Sequence, residues 1–392
     1  VTRINHGQPV RLRFQIVAFS VARTVINTVH RMIYPFLPTF ARGVGVDLEA
    51  VALAVTARSA LGLISPVFGS LADRRGRKAA MITGMLVLVG GMALVAVWPT
   101  YPALFIALSL GGVGKLVYDP SMQAYIGDRV EYTRRGLAIG VTELSWSTAF
   151  LLGVPILGWL IERSGHWEAP FPVLAVISLL MAAMLWVVIP SDTPPVTVTR
   201  PALAEGIRVV LRYTPALAGL AIGLLISASN EVVFIIYGKW MEDAFGLQVA
   251  ALGLASAVIG IAELTSEGVV AGFVDRLGKR RAVAVGIGTN ALACLLLPAL
   301  SFGVEGALAA LFLFFLTFEF AVVSLIPLMT ELVPGARATL MAGNVAALSG
   351  GRMLGALIGP PLFSVGLLAN SATAAALNGI ALVVLLMFLK HD

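Results

Sequence analysis

The chain has 392 residues, of which 58% are apolar and 12% charged. Soluble domains carry about 25% charged residues, so this composition excludes an ordinary water-soluble globule and points to lipid as the solvent. The formal net charge of +6 sits in short clusters between apolar stretches rather than on one wettable face, which argues against a nucleic-acid partner. The lone cysteine, Cys294, lies in an apolar run and reads as a small buried side chain. No removable signal peptide is expected at the polar, basic N-terminus (Arg3, Arg11, Arg13).

A membrane-spanning helix needs roughly 20 mostly apolar residues. In chain order twelve segments qualify: spans 1 to 12 at 14–40, 50–72, 79–98, 102–126, 136–162, 169–190, 215–241, 248–274, 282–301, 305–330, 337–366 and 370–390. Charged residues interrupt spans 1 and 7. Basic residues gather in alternate connections: Arg74, Arg75, Arg77 and Lys78 between spans 2 and 3; Arg129, Arg134 and Arg135 between spans 4 and 5; Arg200, Arg208 and Arg212 in the centre; Arg276, Lys279, Arg280 and Arg281 between spans 8 and 9. The intervening connections carry only Arg42 and Arg163 in this respect. By the positive-inside rule both termini are expected in the cytoplasm, in a multi-pass protein of the cytoplasmic membrane.

The Pro/Thr-rich stretch "PSDTPPVTVTRPALAEG" (190–206) divides the spans six and six. The expected units are 1–190, a linker at 191–214, and 215–392. The two halves echo each other. "DRRGRK" from Asp73 returns as "DRLGKR" from Asp275, 202 residues on. Asn27 and Tyr34 return as Asn230 and Tyr237, both 203 residues on, and "RRGLAIG" (134–140) has a looser partner in "RATLMAG" (337–343). Three echoes in chain order at nearly one offset indicate duplication, a common build of secondary transporters with a midplane site.

Over nearly its whole length the chain resembles the major facilitator superfamily. The residues that carry the resemblance are Gly69, Leu71, Asp73, Arg74, Gly76, Arg77 and Lys78, which match that family's motif between spans 2 and 3. A second copy keeps Asp275, Arg276, Gly278, Lys279 and Arg280, with Phe273 off the pattern. The resemblance implies an all-α fold of two pseudo-symmetric six-helix halves, with this box as a cytoplasmic gate; a topology signal alone would account for the basic residues but not for Asp73 and Gly76. Span 5 resembles the antiporter branch in part: "GVPILGW" keeps Gly153, Pro155 and Gly158, but Trp159 stands where the branch has glycine. Span 11 offers "GALIGPP" (355–361). Small residues and prolines there suit either helices that rock or ordinary close packing.

Ionisable residues at mid-membrane cost roughly 2.5–3.5 kcal/mol each on insertion scales and are functional candidates by default. The first half carries mostly bases (Arg23, His30, Arg31, Arg58, Lys115) and the second mostly acids (Glu231, Glu263, Glu267, Glu319), with Asp119, Glu143 and Arg352 as exceptions. Glu231, beside Asn230 and half-way along span 7, is the first candidate for proton carriage, since burial of a carboxyl favours its protonated form; a static ion pair is the alternative. Glu263 and Glu267 share a helix face at i, i+4, and Glu267 lies roughly 12 Å from the end of its span, as near the gate as the cavity. Glu319 sits in the aromatic stretch "LFFLTFEF", and Glu143 on span 5 could pair with Arg352. These five acids are the proton-coupling candidates. The cavity candidates are Asn27, Arg31, Tyr34, Arg58, Lys115, Asp119, Asn230, Tyr237 and Arg352, with Lys115 and Asp119 spaced to pair with each other. Trp98 and Trp186, at span ends, read as interface anchors.

No phosphate-cradling loop ending in Lys-Ser/Thr, no metal-ligand spacing and no nucleophile constellation is present in the sequence, so no enzyme activity, cofactor or metal is expected. The expected partners are the bilayer, a small solute and protons, with the chain acting as a monomer. Proton-coupled efflux of an amphipathic or drug-like compound is the leading expectation. The alternatives are a symporter or uniporter for an organic anion, sugar or lipid-like solute, and, in another class, a membrane sensor or enzyme.

Overall fold

The computed structural model describes residues 9–65, 76–190 and 203–389. Among the described residues every regular element is a helix. Among the described residues nine helical segments are long and apolar enough to cross a membrane, span 7 counted across its break; the longest single helices have 29 residues, about 43 Å at 1.5 Å per residue, enough to reach both headgroup layers. The three remaining spans fall short for separate reasons. Span 1 is divided into Pro9–Arg31 and Ile33–Val44 around Met32 and carries five arginines. Span 2 runs from Leu48 through a 3-10 turn at Leu61–Ile64 and leaves the described residues after Ser65. Span 11, Arg337–Val365, is diluted by two arginines and several glycines.

Backbone chemistry sets the ends. Gly45, Gly165 and Gly246 close helices with φ of 72°, 70° and 64°, a left-handed conformation that costs L side chains about 1–2 kcal/mol. Proline occupies the first turn at Pro102, Pro170 and Pro215, where the missing N–H is not needed. Span 7 is divided like span 1, into Thr214–Phe234 and Tyr237–Phe245. The sequence reading placed these two spans at 14–40 and 215–241; their actual extents are longer because each includes a short second helix beyond its break. Span 5 contains a π turn, Ala149–Gly153, between Tyr132–Thr148 and Val154–Ser164. In the segment expected to be a linker, Leu203–Arg212 forms an amphipathic helix.

Spans 1–6 pack as one group and spans 7–12 as another: span 3 lies on spans 4 and 6, span 7 on spans 11 and 12, and span 9 on spans 10 and 12. Small residues make the close crossings. A Cβ at Gly84 would lie 2.7 Å from the Gly114 carbonyl oxygen, and one at Gly355 would lie 2.5 Å from Cβ of Glu231. Asparagines pin the second group: Asn370 donates to the Val232 and Gly359 carbonyls, and Asn378 to Ser229 and Asn290. Large apolar side chains stay exposed around the perimeter, among them Val176, Leu180, Leu292 and Leu368, as a lipid solvent permits. Cys294 is buried.

The two groups meet mainly on the face that holds the arginine-poor connections. There span 1 crosses span 7, span 2 lies along span 11, and span 5 lies along span 8. A Cβ at Gly238 would be 2.4 Å from the Pro35 oxygen, one at Gly158 2.9 Å from the Val249 oxygen, and one at Gly62 2.1 Å from Ser349 Oγ. Arg42 and Glu242 pair across this face at 2.7 Å. The contact zone reaches inward to Glu263 and Ser349. Beyond it, toward the basic connections, Glu143 is 39% exposed and Glu267 only half-buried. The two groups are thus sealed together at the arginine-poor face and pack less tightly toward the basic one.

Candidate functional site

At the inner end of the contact zone a buried ion pair joins the two halves. Arg31, at the last turn before the span 1 break, donates to both oxygens of Glu263 on span 8, at 2.7 and 2.6 Å. The pair is 1% and 3% exposed. Its guanidinium lies 3.6 Å from the Phe150 ring centroid and 4.2 Å from that of Trp146; Arg31 also donates to the Trp146 carbonyl, and the indole N–H to Glu263. Planar bidentate geometry and aromatic stacking are what arginine offers over lysine here. The expectation that bases of one half face acids of the other is met at this pair.

Directly above it, Tyr34 stacks on Phe234 with ring centroids 3.7 Å apart. Arg58 donates to the Tyr34 hydroxyl at 3.2 Å and to the His30 carbonyl at 2.7 Å. Glu231 is fully buried beside this group. Neither of its oxygens has a hydrogen-bond partner; the charges acting on it come from Arg352 and Arg58, with the Tyr34 hydroxyl facing it. Among the described residues Glu231 therefore has no static ion pair. Asn230 is buried with its Oδ1 unpartnered, and Tyr237 shares a 2.5 Å hydrogen bond with Ser256.

A second cluster is confined to the first half. Arg23 contacts Asp119 at 3.1 Å and Glu143 at 2.8 Å and donates to the Thr142 carbonyl. Lys115 binds Asp119 at 2.8 Å and Asn27 at 2.6 Å, and Asn27 donates to Ser145. The Lys115–Asp119 spacing thus produces the expected pair. Glu143 does not pair with Arg352: its partner is Arg23, because span 5 packs on span 1 while Arg352 belongs to the other half. Two cations and two carboxylates balance within this cluster.

The second half is not balanced in this way. Glu319 is 8% exposed and feels Glu263, Glu267, Arg31 and Arg352; neither it nor Glu267 has a hydrogen bond or ion pair among the described residues. No group of three potential metal ligands occurs among the described residues. Trp146, Phe150 and Phe234 were not singled out as site residues by the sequence reading. Trp146 and Phe150 sit at i, i+4, three and seven residues after Glu143, a spacing that could have flagged an aromatic face beside the charges.

Of the gate motif, Gly69, Asp73 and Arg74 lie outside the described residues, as does the side chain of Asp275. What remains is informative. Gly76 and Gly278, equivalent positions of the two copies, have φ of 90° and 85°, a region L side chains rarely adopt, and each precedes the first residue of a span. Arg77 Nε lies 3.5 Å from Asp128. Arg276 is exposed on the basic face.

A bundle of spanning helices in two echoing groups, sealed together at one face with charges buried between them, is the architecture of a secondary transporter. Residues 19–360 match the Major Facilitator Superfamily. The chain belongs to that family of membrane transporters, and is a multi-pass membrane protein. It is 27% identical to an uncharacterized MFS-type transporter, YceJ, of Bacillus subtilis, over 85% of each chain. It is also 27% identical to the multi-drug resistance efflux pump PmrA of Streptococcus pneumoniae, over 65% of each. Among solved structures, a peptide transporter POT in complex with sulfate superposes with a TM-score of 0.77 at 16% identity, covering 99% of this chain and 95% of that one. A bacterial homolog of the human lysosomal transporter Spinster, in an inward-facing and occupied conformation, gives 0.75 at 13% identity, covering 97% of each.

Proposed function

We propose that this chain exports an amphipathic or drug-like compound across the cytoplasmic membrane in exchange for protons, as a monomer working by alternating access. The basic face is taken as cytoplasmic, with both termini there, so that the described conformation is sealed on the outer side. The observation that carries the reading is Glu231: a carboxyl wholly withdrawn from solvent, without an ion pair among the described residues and facing the Tyr34 hydroxyl, at the contact of the two halves. Such a group is costly unless protonated, and alternating access would connect it with each side of the membrane in turn. The unpaired acids Glu267 and Glu319, together with the Trp146 and Phe150 rings beside Arg31, would give an amphipathic solute both polar and apolar contacts. The likeness to PmrA supports efflux. Arg352, with no ion pair among the described residues, favours a second reading, symport or uniport of an organic anion.

Proteoliposomes test this. With Glu231→Gln, which keeps size and hydrogen-bonding capacity, a pH gradient should no longer drive accumulation of a lipophilic fluorescent dye, while dye exchange down its own gradient survives. A mutant that still concentrates dye as wild type does would move the carrier to another acid, Glu263 and Glu319 first. Indifference of wild type itself to the gradient would favour uniport.

A further inference from the structure

The basic face of the second half contains a cleft of about 930 Å³ between the start of span 7, the connection between spans 8 and 9, and the ends of spans 10 and 12. One side is cationic: Arg276, Lys279, Arg280 and Arg281 line it, and Glu331 is the one carboxylate that does so among the described residues. Lys279 is engaged by that carboxylate, which leaves three guanidiniums. Arg280 reaches only the Leu386 carbonyl, at 3.4 Å, and its Nε is buried without a partner. The other side is apolar, made by Leu277, Leu332, Met387 and Phe388. Phe388 and Met387 are 45% and 58% exposed, although they end a membrane span. Charge and apolar surface therefore meet where five spans leave the bilayer.

We propose that this cleft binds an anionic phospholipid, with the headgroup phosphate on Arg276, Arg280 and Arg281 and an acyl chain along Met387 and Phe388. A free phosphate would use the guanidiniums but leave the apolar wall unanswered. A zwitterionic lipid would cover the wall but bring a cation toward three cations. An anionic lipid satisfies both sides, in the manner of basic pockets between spanning helices on the cytoplasmic side. The site shares no residue with the charges buried between the halves and does not depend on what the transporter carries.

The test uses the purified full chain and native mass spectrometry with phosphatidylglycerol and phosphatidylcholine of identical acyl chains. Each arginine near an anionic headgroup is worth roughly fivefold, so three give a preference for phosphatidylglycerol on the order of a hundredfold. The combined Arg276→Gln, Arg280→Gln and Arg281→Gln variant should lose most of that preference, while Arg129→Gln on the other half keeps it. Equal loss in both variants, or none in the triple variant, would overturn the proposal by making the attraction diffuse. Displacement of the lipid by excess inorganic phosphate would overturn it in favour of a free-anion site. A measurement on the unmodified chain guards against misfolded variants. Phosphatidylglycerol carrying a photoreactive acyl chain should label peptides containing Leu332 or Met387 and Phe388, and labelling spread evenly around the helices would refute the assignment.

Discussion

Glu263→Gln removes one charge from the pair that joins the halves and keeps nearly its shape. Arg31 and Glu263 are 1% and 3% exposed, so the variant leaves a cation in a dry site. Breaking a buried pair by deleting one partner typically costs about 3–5 kcal/mol. Arg31 keeps the Trp146 carbonyl and two aromatic faces, which places the cost near the lower end, about 3 kcal/mol. The cost falls only on the conformation in which spans 1 and 8 touch, because opening the arginine-poor face would hydrate Arg31. At 1.4 kcal/mol per decade the conformational equilibrium shifts on the order of a hundredfold toward opening there. Spin labels at Glu49→Cys and Gln248→Cys report it: both positions are exposed, on opposite halves of that face, and Cys294 is too buried to be labelled. The distance distribution should gain a longer component in Glu263→Gln and lose it again when Arg31→Met is combined with Glu263→Met. An unchanged distribution together with an unchanged unfolding temperature would refute the role of the pair.

The same labels test the backbone crossing: Gly238→Ala puts a Cβ against the Pro35 and Tyr34 oxygens at 2.4 and 2.6 Å. Main-chain atoms cannot swing aside, so overpacking of about 1–3 kcal/mol should again lengthen the distance, and a distribution like wild type would refute that seal. In the first-half cluster, Arg23→Met strands Asp119 and Glu143 with Lys115 alone and should cost about 2–3 kcal/mol in thermal unfolding, discounted for the exposure of Glu143. Lys115→Met leaves Asp119 on Arg23 and should cost less; the reverse order would show that Arg23 is not the hub.

The amphipathic halves and their duplication were legible because apolar runs and repeated spacings are one-dimensional properties. Gly76 and Gly278 illustrate this: the repeat marked them as equivalent, and the structure supplies the reason, a matching positive φ. Individual charges were legible too, since each is anomalous in an apolar span. Their pairing was not. Arg31 and Glu263 are 232 residues apart, and only the facing of spans 1 and 8 joins them. Glu143 was assigned the wrong partner for the same reason, since sequence gives no rotation of span 5 about its axis. Trp146 and Phe150 were hidden among the many aromatic residues a membrane protein carries, and Gly238 offered no signal because a crossing of two backbones leaves no side-chain pattern.

The π turn at Ala149–Gly153 sits between the part of span 5 that addresses span 1, through Thr142 and Ser145, and the part that lies on span 8, through Val154 and Gly158. A π turn holds one residue more than an α-helical turn, so everything beyond it is rotated by about 100° relative to an uninterrupted helix. The count of residues from Trp146 to Gly158 then matters as much as their identity. Relaxation of the segment to a regular helix at unchanged length would turn Gly158 away from Gly253, whereas deleting any one of Ala149 to Gly153 would remove the extra residue and leave the two parts in register. A single-codon gain would instead swing the outer part by about 100° and uncouple the two halves at one stroke, so the extra residue of the π turn is what lets one helix address span 1 and span 8 together.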